Sequence, residues 1–130
     1  MRGVNLNCNQ LKQTANAMVV KGKGILAADE STPTCTRRFD SIGIESTEIN
    51  RNKYRDLLFT TPGMNEYISG VIMYDETLRQ STIKDDIPFA KYLASINIIP
   101  GIKVDMGAKP LALHSNEKVT EGLDGLRERL

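Results

Sequence analysis

The chain has 130 residues, and seventeen Lys and Arg against sixteen Asp and Glu leave a formal net charge of +1. That length suits one domain, and so even a balance gives no general field toward nucleic acid or an anionic membrane. Hydrophobic residues at 40% and charged residues at 25% are ordinary for a soluble globular chain and exclude a disordered one. The longest apolar stretch, Ile68 to Tyr74, is far short of the ~20 residues of a membrane span. The opening MRGVNLNCNQLKQ lacks the apolar centre of a secretory signal, so a cytoplasmic location is expected. Cys8 and Cys35 are too few for a disulfide framework, and the single His114 leaves no histidine cluster for zinc. Metal chemistry is not expected.

In chain order, Leu11, Ala15, Met18 and Val19 fall on one face of an amphipathic helix over Asn9 to Val20, ended by Lys21-Gly22-Lys23-Gly24. Ile25-Leu26-Ala27-Ala28 is a short apolar run between glycine and acid, the pattern of a buried strand. Thr32 followed by Pro33 predicts a helix start, with Gly43 closing the helix. A further helix is predicted from Glu48 to Thr60, with Tyr54, Leu57 and Leu58 as its inward stripe, before the turn Thr61-Pro62-Gly63. Ile68 to Tyr74 is the second apolar run, a charged loop covers Ser81 to Pro88, and a short helix is expected over Phe89 to Ile96. The third run, Ile98 to Ile102, continues through Lys103-Val104-Asp105. A loop is expected around Leu113 to Asn116, then a turn and a helix start over Val119 to Leu130.

Strands alternating with crossover-length helices imply a parallel sheet of right-handed βαβ units. Each strand ends in ionisable residues: Asp29-Glu30, Asp75-Glu76 and Lys103 with Asp105. The C-terminal edge of a parallel sheet is where such architectures bind and react, in open sheets and closed barrels alike. Three strands in about 100 residues is a barrel's pace, and a whole barrel takes about 250 residues. The chain therefore reads as less than half of its own fold.

Several residues on that edge carry chemistry. Ser31, Thr32, Thr34 and Thr36 bring hydroxyls to a helix start, which suits phosphate or another anion, and Arg37 and Arg38 follow one turn later. A well-capped helix with two solvated arginines fits the same spacing. The pattern Gly22-x-Gly24-x-x-Ala27 precedes its strand and so is not a dinucleotide fingerprint. Lys103 shares a strand face with Asp105. A lysine there serves as a nucleophile or an acid-base group when its pKa is lowered; the other reading is an ion pair with a neighbouring acid. Cys35 reads as an inert buried thiol, Arg51 and Arg55 as a solvated helix face, and His114 as exposed.

Lys21-Gly22-Lys23-Gly24-Ile25-Leu26-Ala27-Ala28-Asp29-Glu30-Ser31 resembles the opening motif of class I fructose-bisphosphate aldolases. So do Arg38 to Gly43, Glu45 to Arg51, Leu57 to Thr61, Gly70-Val71-Ile72, Glu76-Thr77-Leu78, Gly101 to Asp105 and Thr120 to Arg129. These segments run in order over nearly all of the chain beyond the first helix. The resemblance implies an α/β fold: the N-terminal part of a (β/α)8 TIM barrel, about three βα units preceded by an N-terminal helix. Residues 1–130 would then be one incomplete barrel domain.

The implied activity is the reversible cleavage of fructose 1,6-bisphosphate to dihydroxyacetone phosphate and glyceraldehyde 3-phosphate through a lysine Schiff base, without metal or other cofactor. Carried over by position, Asp29 matches the aspartate that meets the substrate hydroxyls at the breaking bond. Lys103 matches a second active-site lysine, distinct from the Schiff-base one. Ser31 and Thr34 match hydroxyls near the substrate phosphate, and Arg38 and Arg51 match basic substrate-binding positions. The sequence departs from the family pattern at Pro33, where animal members have glycine, at Thr34, where the family often has Ser, and at Met106, where Lys is usual. The family's Schiff-base lysine and proton-shuttling glutamate have no counterpart among these residues. The expectation is therefore a fragment, inactive and poorly stable alone, from a protein that assembles as a homo-oligomer. The alternative is a short non-catalytic protein that binds sugar phosphates or assembles with other chains, and a third reading is an aldolase-like barrel for another phosphorylated sugar.

Overall fold

The computed structural model describes residues 8–129. The first helix, α1 (Cys8–Met18), ends two residues before the periodicity suggests. Its expected apolar face is not buried: Leu11 is 57% and Val19 75% exposed. Met18, at the end of the helix, meets the sheet, accepting a hydrogen bond at its carbonyl from the Ser69 hydroxyl at 2.6 Å.

Strands β1 (Gly24–Ala28), β2 (Ile68–Met73) and β3 (Ile99–Ile102) form one parallel sheet in the order β1-β2-β3. The predicted parallel arrangement is therefore present, each strand within about one residue of its apolar run. The register sets Ala28 opposite Met73 and Met73 opposite Ile102. This row is the last one of the sheet, so the residues that follow it emerge on one edge. The Lys103 N–H extends the ladder, donating to the Met73 carbonyl at 2.9 Å.

Between β1 and β2 run α2 (Thr32–Asp40), α3 (Glu48–Phe59) and the single turn α4 (Met64–Tyr67). The N-cap of α2 is Ser31, not Thr32, with Pro33 in the first turn. Gly43 closes α2 as expected: at φ 69 it takes the left-handed conformation that suits glycine. The N–H groups of Gly43 and Ile44 then reach back to the carbonyls of Asp40 and Phe39. Thr47 caps α3, its side chain accepting from the Asn50 N–H at 3.1 Å. After β2 come α5 (Asp75–Leu78) and α6 (Phe89–Ser95), which leads into β3.

The core lies between sheet and helices: Ala28, Val71 and Met73 from the strands, with Phe59, Met64, Phe89, Leu93 and Ile98. Phe59 and Phe89 meet edge to face, centroids 5.1 Å apart at 89°, the preferred geometry for two ring quadrupoles. Leu57, expected to point inward, is 70% exposed. The buried face of α3 carries Arg55 and Phe59 instead, a register fixed by Arg55's partners on the β1 loop.

Beyond β3 the structure replaces the expected loop with an antiparallel hairpin of β4 (Gly107–Leu111) and β5 (His114–Glu121). His114 is exposed as anticipated, but it opens a strand. Val119 and Thr120, expected to turn, finish β5, and α7 (Leu126–Arg129) follows. Among the described residues no helix is long and apolar enough to cross a membrane.

Candidate active-site edge

Three charges converge where β1 and β3 end. The Lys103 ammonium pairs with the Asp105 carboxylate beside it and lies 3.6 Å from Asp29 Oδ2 across the sheet. The Gly107 N–H holds the other Asp105 oxygen at 3.0 Å. The hydrogen bond to Asp105 raises the Lys103 pKa above the ordinary lysine value; partial burial opposes the shift, and the pull of Asp29 adds to it. The same bond, helped by the Gly107 N–H, lowers Asp105. Lys103 is therefore a protonated, half-buried cation, which favours the ion-pair reading over that of an activated nucleophile. Beside it Tyr74, Asp75, Lys103, Asp105 and Met106 line a cavity of about 220 Å³.

The loop from β1 into α2 brings the hydroxyls together. Ser31 Oγ and Thr34 Oγ1 are 3.3 Å apart, and Arg37 donates to the Thr34 hydroxyl at 3.1 Å. Ser31 makes no side-chain cap hydrogen bond. The arrangement thus keeps two hydroxyls and one guanidinium near the first turn, where the helix dipole favours an anion, although Pro33 has no N–H and the Thr34 N–H already donates to the Ser31 carbonyl at 2.9 Å.

Arg38 is half-exposed and pairs with the Glu30 carboxylate; it also donates to the Tyr54 hydroxyl at 3.0 Å. Arg51 is engaged elsewhere. Its Nε and one terminal nitrogen grip both oxygens of Glu76 at 2.8 and 2.5 Å, and its other terminal nitrogen donates to the Ser46 carbonyl at 2.5 Å. A forked pair of this kind is among the stronger hydrogen-bonded contacts available to an arginine. The pair ties α3 to the segment after β2.

The sequence reading of Arg51 and Arg55 as a solvated face does not hold. Arg55 is 2% exposed, and one guanidinium serves Glu30 twice: one terminal nitrogen pairs with its carboxylate, the other donates to its carbonyl at 2.8 Å and to Cys35 Sγ at 3.6 Å. A buried guanidinium is sustained only by such pairing. Glu30, which sequence reasoning passed over, is thereby the hub of Arg38, Arg55 and Tyr54. Burial alone would raise its pKa, but the hydrogen bond from Arg55 and its neighbours bring it below the usual value. The missed signal lies in α3. Arg51, Arg55, Leu58 and Phe59 recur at i, i+4, i+7 and i+8, which places the arginines on the stripe that faces the protein. Cys35 is buried at 1% exposure; burial raises its thiol pKa, with Arg55 pulling the other way. Its burial is as expected.

A parallel sheet that gathers an ion-paired lysine and a hydroxyl-rich helix start at its C-terminal edge has the layout by which α/β sheets and barrels hold ligands. The family model described as fructose-bisphosphate aldolase class-I matches residues 10–130, and the chain belongs to that family. It is 62% identical over 125 residues to a probable fructose-bisphosphate aldolase class 1 of Xanthomonas campestris, covering 96% of this chain and 37% of the relative. Against fructose-bisphosphate aldolase 1 of Toxoplasma gondii the identity is 54%, over 92% of this chain and 33% of the relative. A solved fructose-bisphosphate aldolase from Plasmodium falciparum, in complex with TRAP and a small-molecule inhibitor, superposes with a TM-score of 0.86 at 51% identity, over 93% of this chain and 35% of that one. The chain spans about a third of the length of these relatives.

Proposed function

We propose that this chain supplies the first strands of a class I fructose-bisphosphate aldolase site, in which fructose 1,6-bisphosphate is cleaved reversibly to dihydroxyacetone phosphate and glyceraldehyde 3-phosphate. What most supports this reading is the ion pair across the sheet edge, Lys103 Nζ to Asp29 Oδ2 at 3.6 Å. In cleavage the C4 hydroxyl loses its proton as the C3–C4 bond breaks, and the electron pair passes to an iminium on a lysine. That lysine belongs to the family's later strands.

Within this scheme Asp29 meets the hydroxyls at the breaking bond and assists proton transfer. Lys103, protonated between two acids, holds negative charge on the substrate and orients Asp29. Ser31 and Thr34 receive a phosphate, and Arg38 stands over the same loop as a substrate-binding cation. For Arg51 a substrate role has only the resemblance behind it, since its guanidinium is committed to Glu76 and Ser46. The protein of which this edge is part would work in the cytoplasm, as a homo-oligomer, on a sugar phosphate.

The test is a chimera in which residues 1–130 replace the aligned segment of the Xanthomonas relative, with the intact relative as the reference rate. Cleavage of fructose 1,6-bisphosphate is followed by coupled oxidation of NADH. The expected rate is within about tenfold of the reference, and borohydride reduction with substrate should label a lysine other than Lys103. A chimera that unfolds cooperatively yet cleaves nothing, or label on Lys103, would overturn the reading.

A further inference from the structure

Arg55 lies on α3, among the buried residues of the helix, and the proposed chemistry makes no use of it. Few arginines are as enclosed as this one, at 2% exposure. Its two terminal nitrogens take the carboxylate and the carbonyl of one residue, Glu30. A carboxylate contact alone would fix a side chain; the added carbonyl contact at 2.8 Å also fixes the plane of the peptide that joins Glu30 to Ser31. Glu30 stands between Asp29 and the N-cap Ser31, so this grip sets the backbone from which both project.

The effect reaches further through the Glu30 carboxylate. One of its oxygens meets Arg55, and the other accepts from Arg38 and from the Tyr54 hydroxyl at 3.2 Å. Arg38, half-exposed, is thus aimed by an acid that Arg55 itself holds. Tyr54 closes the cluster from the same helix, its ring centroid 5.1 Å from the Arg55 guanidinium carbon and 5.7 Å from the Phe39 centroid. The cluster buries a salt bridge where a hydrophobic pair would serve stability as well or better. What a hydrophobic pair lacks is a direction for the peptide and for Arg38.

We infer that Arg55 is a positioning residue for the aldol cleavage, a clasp that sets the β1–α2 loop so that Asp29, Ser31 and Arg38 face one substrate. The inference rests on the proposed function for its reaction and on the Glu30 geometry for its mechanism. An ammonium in place of the guanidinium keeps the charge but has no planar fork to hold carboxylate and carbonyl together.

The test compares Arg55→Lys and the double variant Arg55→Met with Glu30→Gln, both in the chimera. The double variant leaves no unpaired buried charge and so keeps the fold testable. Two readouts are taken. The first is kcat against KM: displacement of a reacting group by about 1 Å costs on the order of 100-fold, so kcat should fall about tenfold to 100-fold while KM moves less than about threefold. The second needs no activity: labelling of Cys35, buried beneath the same guanidinium, by a thiol reagent and located by peptide mass. Its rate should rise at least about tenfold as the loop loosens. Cooperatively folded variants with unchanged kcat and unchanged Cys35 labelling would overturn the clasp. Faster labelling with unchanged kcat would reduce it to a structural tie and overturn the positioning role. An unsubstituted chimera without activity would count against the aldolase reading instead, and the labelling would still decide whether Arg55 holds the loop.

Discussion

Phe59 and Leu57 lie two residues apart on α3, and the structure separates their contributions sharply. Phe59 is fully buried, its ring edge-on to Phe89 at 5.1 Å, whereas Leu57 is 70% exposed. Truncating a buried phenylalanine to alanine costs about 3–5 kcal/mol, from lost transfer free energy and the cavity left behind. Truncating an exposed leucine costs about 0.5 kcal/mol or less. Phe59→Leu keeps aliphatic bulk but loses the ring contact, and the part of its cost that depends on Phe89 should be about 0.5–1.5 kcal/mol in a double-mutant cycle. Urea unfolding of the chimera, followed by circular dichroism, measures all three. The slope rises with the surface exposed on unfolding, so in a chimera of this length a loss of about 4 kcal/mol moves the midpoint by less than the roughly 2 M it would be in a small domain. Phe59→Ala should show such a shift and Leu57→Ala almost none. Equal shifts would refute the helix register, and with it the burial of Arg55, because one rotation of α3 places both residues.

Other outcomes follow from the same contacts. Gly122 adopts φ +150, and a Cβ there would lie 2.6 Å from the Val104 carbonyl oxygen and 2.7 Å from Asp105 Cα. Gly122→Ala should therefore displace Asp105 and loosen Lys103, lowering kcat/KM of the chimera about tenfold or more; wild-type kinetics would show that the hairpin does not bear on the edge. Glu30 has a depressed pKa in the folded chain, so its share of stability is complete above the ordinary value of 4.5 and is lost as pH falls through the folded value. Unfolding midpoints between pH 6 and pH 3 should fall less steeply in the double variant Arg55→Met with Glu30→Gln. Lys103 runs the opposite way. Its raised pKa places its contribution below about 10.5 and removes it at higher pH, so Lys103→Met should flatten the alkaline limb of stability; an unchanged limb would contradict the pairing with Asp29 and Asp105.

The sheet and its edge were legible because short apolar runs stopped by charge read as parallel strands, and Ile25 to Ala28, Ile68 to Tyr74 and Ile98 to Ile102 are such runs. Only β2 is buried along most of its length, whereas β1, expected to be buried, leaves Ile25 and Ala27 exposed. Strand alternation alone put Lys103 and Asp105 on one face, but it did not name Asp29 as a partner, because the contact at 3.6 Å spans two strands that lie far apart in sequence. The hairpin was not legible. Its turn, Ala112-Leu113, has neither Gly nor Asn, and Leu113 takes φ 65 against the usual preference of the left-handed region. Its strands alternate few apolar residues and are exposed throughout β5, so no period-2 signal arose. The orientation of α3 was misread because leucines outweigh arginines in any hydrophobic stripe; the deciding partner, Glu30, is 25 residues away in sequence. The outward face of α1 has a similar origin: Leu11 and Val19 form a stripe by spacing, and nothing among the described residues covers it.

The most direct test of the aldolase edge is the steady-state kcat/KM for fructose 1,6-bisphosphate of the chimera carrying Lys103→Met or Asp29→Asn, with urea midpoints taken alongside. Removing one preorganised charge at a reacting centre costs on the order of 100-fold to 1,000-fold, and losses of that size with little change in midpoint are expected for both. Folded variants that cleave the substrate as fast as the unsubstituted chimera would contradict the assignment of this edge to the chemistry.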